Sequence, residues 1–205
     1  MLKNFRPILI IAGDPKSVFL EIYFKSLKKN KFKRPLILIV NEKILSEQMR
    51  ALKYNFKINK IDINSLNYKD LNNKKINIIH IPLDRKFVSE YIYQSFEKAL
   101  LLIEKNNKIN LINGPINKKK ILKQRFLGIT EYLDFKTKSK GKTVMLIYNK
   151  NLSVSPLTTH LPLKKVYRYI SKKKIINHVQ QISNFYKKKF NILPKIGVTG
   201  LNPHC

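Results

Sequence analysis

Acidic side chains are scarce in this chain of 205 residues: 12 Asp and Glu stand against 42 Lys and Arg, for a formal net charge of +30. Cysteine occurs once, at Cys205, which excludes a disulfide framework and any multi-cysteine zinc module. Apolar runs are short. None approaches the ~18 to 20 residues of a membrane span, and the run at 8–12 is too brief for a signal-peptide core before Asp14 interrupts it. These absences lead us to expect a soluble, cytoplasmic protein with no membrane partner. A hydrophobic content of 43% argues against disorder, and the length suits one large domain or two small ones with a buried core.

A charge of this size raises the question of nucleic acid, because a basic face neutralises phosphates. The make-up of the charge points elsewhere. Only 6 of the basic residues are Arg, the type favoured for base-edge and bidentate phosphate recognition. Lys, Ile and Asn together supply 85 of the 205 residues, spread over every element. This pattern reads as compositional drift on a solvated surface, and no specific nucleic-acid partner is expected. Lys172, Lys173 and Lys174 even follow Ser171, a candidate helix N-cap, where the helix dipole disfavours cations.

Strand and helix patterns alternate along the chain. A continuous apolar run at 7–12 and a second at 36–40 read as buried strands, the segments 76–81 and 110–113 are strand-like, and a short strand is expected in the polar stretch 55–75. Helical spacing covers 18–28 and 42–52, and a helix capped by Ser89 places Ile92, Phe96, Ala99, Leu100 and Ile103 on one face. Further strands are expected at 144–148, 152–157 and 195–199, and a long helix at 172–190 with Ile175, Val179, Ile182 and Tyr186 inward. Such alternation predicts an α/β fold, a mostly parallel sheet with flanking helices on both faces.

Open α/β sheets bind ligands at the carboxyl ends of their strands. Three of the six glycines, Gly13, Gly114 and Gly200, follow predicted strands, which marks that edge for scrutiny. No G-x-G-x-x-G fingerprint follows the first strand. Gly114-Pro115-Ile116-Asn117-Lys118 sets an amine and a carboxamide at a helix start suited to an anion, so Lys118 is a candidate substrate contact. Of four histidines, His160 and His204 lie in loops after predicted strands and are candidate ligands of one divalent ion, whereas His80 and His178 read as structural. Asp134 is the last carboxylate in the sequence. A metal site built on His160 and His204 must therefore draw any acidic ligand from earlier in the chain, from a partner or from sequence outside these 205 residues.

Gly-Pro-Ile-Asn-Lys at 114–118, Gly-Ile-Thr-Glu-Tyr-Leu at 128–133, Thr-Thr-His-Leu-Pro-Leu at 158–163 and Gly-Leu-Asn-Pro-His at 200–204, in this order and spacing, resemble the 4-hydroxythreonine-4-phosphate dehydrogenases of vitamin B6 synthesis. The resemblance runs along nearly the whole chain. It implies an isocitrate/isopropylmalate dehydrogenase-like fold of two α/β lobes, with the active site in the cleft of a homodimer. The implied reaction is metal-assisted oxidation by NAD of 4-phosphooxy-L-threonine, a small phosphorylated amino acid. The product, 2-amino-3-oxo-4-phosphooxybutanoate, then loses carbon dioxide to give 3-amino-2-oxopropyl phosphate. By resemblance His160 and His204 match two of three metal-binding histidines, for zinc, magnesium or cobalt, and Thr130 matches a substrate contact.

Two features depart from the family pattern. Ile129 stands where the family has His, and the loop at 16–20 lacks the family's glycines. The pattern also continues beyond Gly-Leu-Asn-Pro-His, so the chain is expected to be the amino-terminal two thirds of a two-lobed enzyme, with the lobe boundary not visible in the sequence. The third metal histidine and most of the NAD site are then expected beyond residue 205, and the 205 residues alone are expected to be inactive. The alternative expectation is a catalytically inactive truncated remnant or binding protein of the same fold.

Overall fold

The computed structural model describes residues 6–67, 71–105, 109–117, 126, 128–139 and 142–202. The chain divides into two compact units, Met1–Ile121 and Leu122–Cys205.

The first unit is a five-stranded sheet in the order β3-β4-β2-β1-β5, every pairing parallel. Its strands are β1 (Ile8–Ile11), β2 (Leu36–Val40), β3 (Ile58–Lys60), β4 (Ile76–His80) and β5 (Asn110–Asn113). Strands covered on both faces show unbroken apolar runs, and the central β2 is Leu-Ile-Leu-Ile-Val with every residue buried. The edges are short and polar: β3 is Ile-Asn-Lys and β5 Asn-Leu-Ile-Asn.

Side chains alternate across the sheet. On one face Ile10, Leu36, Leu38, Val40, Ile76 and Ile78 form a core with α1 (Phe19–Lys29) and α2 (Glu42–Ala51). Leu20, Tyr23 and Phe24 enter it from α1, and Leu45 and Met49 from α2. Phe24 is fully buried and meets Tyr54 and Phe56 at ring-centroid distances of 5.3 and 6.0 Å. The alternate residues Leu9, Ile11, Ile37 and Ile39 are also buried, and α3 (Val88–Lys105) packs against β1 and β2. This helix starts at Val88, so Ser89 lies inside its first turn rather than capping it. Leu102, not Leu100 or Ile103, completes its buried face of Tyr91, Ile92, Phe96 and Ala99. Burial pushes the Tyr91 hydroxyl up to about 12.

At the carboxyl edge of this sheet the exits of β1 and β5 approach each other closely. Gly13 adopts φ +79, and a Cβ there would meet the Pro115 carbonyl oxygen at 2.3 Å. Gly114 is held as closely, since a Cβ on it would lie 2.3 Å from the Ala12 carbonyl oxygen. The two exits approach backbone to backbone, and the Asp14 N–H donates to the Pro115 carbonyl at 2.8 Å. Beyond β2, buried Asn41 caps α2 by accepting from the Ile44 N–H and donates to the Ile81 carbonyl at 2.9 Å. Gly13 and Gly114 thus serve tight packing of two strand exits.

The second unit has helices α4 (Ile129–Lys136), α5 (Leu163–Val166) with a following 3-10 turn, Tyr167–Tyr169, and α6 (Lys172–Phe190). Ser171 caps α6 by accepting from the Lys174 N–H, and Asn191 ends it in the left-handed conformation. The strands expected at 144–148 and 152–157 reduce to one antiparallel bridge, Ile147 to Val154. At 195–199 the described chain enters no ladder. An apolar run becomes a strand only where a neighbour supplies hydrogen bonds, and the described residues of this unit supply them at one place. On α6 only Ile182 is buried, while Ile175, Val179 and Tyr186 are half-buried. Among the described residues no helix is long and apolar enough to cross a membrane.

Candidate functional site

Within the second unit, a cavity of about 530 Å³ lies among α4, the segments 142–145 and 156–159 with Leu161, and the first turns of α6. Thr130, Glu131 and Asp134 line it from α4, Thr158 and Thr159 from the loop, and Lys173, Lys174 and His178 from α6.

Side-chain hydrogen bonds tie the walls together. The Thr159 hydroxyl donates to Glu131 Oε1 at 3.0 Å. The Thr143 hydroxyl donates to Asp134 Oδ1 at 2.6 Å. On the far wall the Ser155 hydroxyl donates to the Met145 carbonyl, so its contact with His178 Nε2 at 2.6 Å has the imidazole N–H donating. Burial, and then the Lys174 ammonium, hold the His178 imidazole below its ordinary value, which favours this neutral form.

His160 is exposed and left-handed, with φ +56, a conformation uncommon outside glycine. No strand precedes it; its loop leads from the 147–154 bridge into Pro162, the N-cap of α5. Its ring reaches Gly128. A Cβ on Gly128 would stand 2.9 Å from Glu131 Oε2 and 3.8 Å from His160 Nε2. Thr130, Glu131 and Thr159 line the cavity, and Glu131 and the His160 ring both lie within 4 Å of the place a Gly128 Cβ would take, although His160 is not itself a lining residue. Imidazole and carboxylate are a donor set that suits zinc, cobalt or magnesium. Among the described residues they do not complete a cluster of three or more metal-ligating side chains. Lys118 and His204 lie outside the described residues.

Residues 31–205 match the family model of the pyridoxal phosphate biosynthetic protein PdxA. The chain belongs to this family. The 4-hydroxythreonine-4-phosphate dehydrogenase of Sulfurihydrogenibium sp. (strain YO3AOP1) is 32% identical over 213 residues, an alignment covering 97% of this chain and 63% of the relative. The enzyme of that name from Aquifex aeolicus (strain VF5) is 30% identical over 211 residues, covering 98% of this chain and 64% of the relative. The chain thus spans just under two thirds of the length of these curated relatives. Among solved structures, a 4-hydroxythreonine-4-phosphate dehydrogenase from Burkholderia phymatum superposes with a TM-score of 0.75 at 22% identity, over 98% of this chain and 64% of that one. One from Klebsiella pneumoniae superposes with a TM-score of 0.74 at 20% identity, over 89% and 60%. At these identities the likeness establishes the fold.

Two members of the site were not assigned from sequence. Glu131 follows Thr130 directly in a motif already singled out, and its signal was the need for a carboxylate from before residue 135. His178, read as structural, keeps a structural bond to Ser155 and also faces the cavity.

Proposed function

We propose that this chain carries part of the active site of an NAD-dependent, metal-assisted dehydrogenase acting on 4-phosphooxy-L-threonine in pyridoxal 5'-phosphate synthesis. Oxidation of the substrate's secondary alcohol gives 2-amino-3-oxo-4-phosphooxybutanoate, and decarboxylation then gives 3-amino-2-oxopropyl phosphate. The observation that carries this reading is that the motif residues Thr130, Glu131 and Thr159 line one cavity, with Thr159 bonded to Glu131, while Glu131 and the His160 ring both lie close to Gly128.

His160, with His204, would hold the divalent ion, either zinc, magnesium or cobalt. When bound, such an ion supplies Lewis acidity that eases deprotonation of the alcohol and polarises the ketone. Thr130 offers a hydroxyl to the substrate from the first turn of α4. Lys142, Lys173 and Lys174 give the cavity cationic walls suited to an anionic substrate, and Lys118 is a further candidate contact for it. The described exit of β1, Gly13-Asp14-Pro15, offers no glycine-rich turn for a dinucleotide, so the assignment of NAD rests on the resemblance alone. A cytoplasmic homodimer is the assembly we assign to it.

A second reading, a remnant that binds without turnover, is favoured by Ile129, a half-buried apolar side chain beside Thr130. The test has two parts. Calorimetric titration with cobalt chloride is expected to show binding that His160→Ala and His204→Ala each abolish and His178→Ala preserves; unchanged affinity in both of the first two variants would remove the metal assignment. NAD reduction with 4-phosphooxy-L-threonine is then compared for this chain, for a version extended to the length of its relatives, and for the extended Ile129→His variant. Turnover only after Ile129→His would identify the remnant.

A further inference from the structure

The cavity of the second unit carries more cations than carboxylates. Lys142 enters its lining from the segment after α4, and Lys173 and Lys174 from the first turn of α6. The acidic members, Glu131 and Asp134, come from α4 and already accept from the protein. Glu131 takes the Thr159 hydroxyl, and Asp134 takes the backbone N–H and hydroxyl of Thr143. Three ammoniums against two carboxylates leave the lining with a net charge of plus one. Tyr169, from the 3-10 turn, and His178 are its remaining titratable side chains.

His178 can change its charge without losing its anchor. The Ser155 hydroxyl uses its one hydrogen on the Met145 carbonyl, so the 2.6 Å contact with His178 Nε2 has the imidazole donating. That donor is present in the neutral Nε2–H tautomer and in the imidazolium alike, and the second proton adds at Nδ1. The ring therefore stays tied to Ser155 in both states. Burial first, and the Lys174 ammonium second, hold the group below its ordinary 6.5. The second cause is one that an anion removes, since a negative charge among the lysines offsets their repulsion and attracts the imidazolium.

We propose that His178 couples anion binding in this cavity to proton uptake: a small dianion of the phosphate-ester class, bound among the lysines, draws a proton onto Nδ1, and acidification in turn tightens its binding. The inference rests on the reading of the cavity as a site for an anionic substrate and adds a regulation of that site by pH. A proton on His178 doubles the net charge of the lining, from plus one to plus two. By linkage the two effects are equal: the factor by which the anion favours the protonated ring is the factor by which the protonated ring favours the anion.

Proton NMR of the His178 ring in the full chain, titrated between about pH 8 and 5, reads this directly. Sodium sulfate is the probe, and sodium chloride at matched ionic strength is the reference, because screening alone weakens the Lys174 repulsion. Sulfate keeps both its charges over that range, so any proton taken up belongs to the protein. The His178 midpoint is expected to rise by about one unit in sulfate, which corresponds to about tenfold tighter binding to the protonated form. Calorimetric titration with sulfate should show uptake of part of a proton by the wild type and none by His178→Gln, whose affinity should not vary with pH. In Lys174→Gln the midpoint without sulfate should already lie higher than in the wild type. If sulfate binds the wild type and leaves the His178 midpoint where chloride does, the inference falls and the anion reading of the cavity stands. If sulfate does not bind, the anion reading falls with it.

Discussion

The two units of this chain are held together by different physics. Among the described residues, every buried hydrophobic side chain except Tyr132 and Ile182 belongs to the first unit. The second leaves Tyr148, Leu152, Leu163, Leu193 and Val198 at least half exposed. Its walls are tied by directional bonds instead: Thr159 to Glu131, Thr143 to Asp134, His178 to Ser155, and Tyr186 to Ser153. Apolar burial is non-directional and tolerates approximate geometry, whereas hydrogen bonds fix atoms at defined separations. The unit that holds the candidate cavity is the one that relies on the second kind.

The sharpest way to break this contrast is to cut equal side chains from each unit. Phe24→Ala, in the first, should cost about 3–5 kcal/mol in urea denaturation followed by circular dichroism. Phe185→Ala, at a ring that is 41% exposed, should cost far less. Similar losses would mean that the second unit owes as much to burial as the first. Gly13→Ala should come next, at about 1–3 kcal/mol, because φ +79 is strained for alanine and the Pro115 carbonyl blocks its Cβ.

Tyr186→Phe tests the directional bonds. The Tyr186 hydroxyl donates to Ser153 Oγ at 2.8 Å, and deleting it should cost about 0.5–1.5 kcal/mol with the ring packing against Tyr148 kept. A neutral outcome would assign the attachment of the 147–154 turn to its aromatic contacts. The smallest effect expected is a pH slope from His178. Its folded value lies below the ordinary 6.5, so on acidification the unfolded chain takes up the proton first. The stabilisation is present above 6.5 and is lost as the pH falls through the folded value. Thermal melts of wild type and His178→Gln across that range should differ in slope, and parallel curves would show that the group does not report on folding.

Legibility from sequence followed the same division. The central strands β1, β2 and β4 of the first unit could be read from their apolar residues, because a parallel strand between two others is buried on both faces. β3 escaped all but a general location, since an edge strand of Ile-Asn-Lys carries no pattern. In the second unit α6 was legible with both of its ends, from Ser171 and the spacing that follows. The expected strands there were not, since only one bridge forms among the described residues. His160 and Thr130 stood out through the motifs that hold them. Glu131 did not, because its importance lies in a contact with Thr159, 28 positions away, and in the space left by Gly128. Spacing along a sequence carries no trace of either.

The close approach at the β1 and β5 exits also bears on how the protein ages. Asn113 is followed by Gly114, the pairing most prone to lose its side-chain amide, because a glycine N–H is free to attack the asparagine carbonyl and close a succinimide ring. Here the Gly114 N–H donates to the Ile11 carbonyl at 2.7 Å, and the Asn113 amide donates to the Gly114 carbonyl at 3.2 Å. The attacking nitrogen is engaged across the sheet and cannot turn to the side chain while the two strands stay paired. Deamidation at Asn113 thus becomes a slow chemical record of how often that corner of the sheet opens.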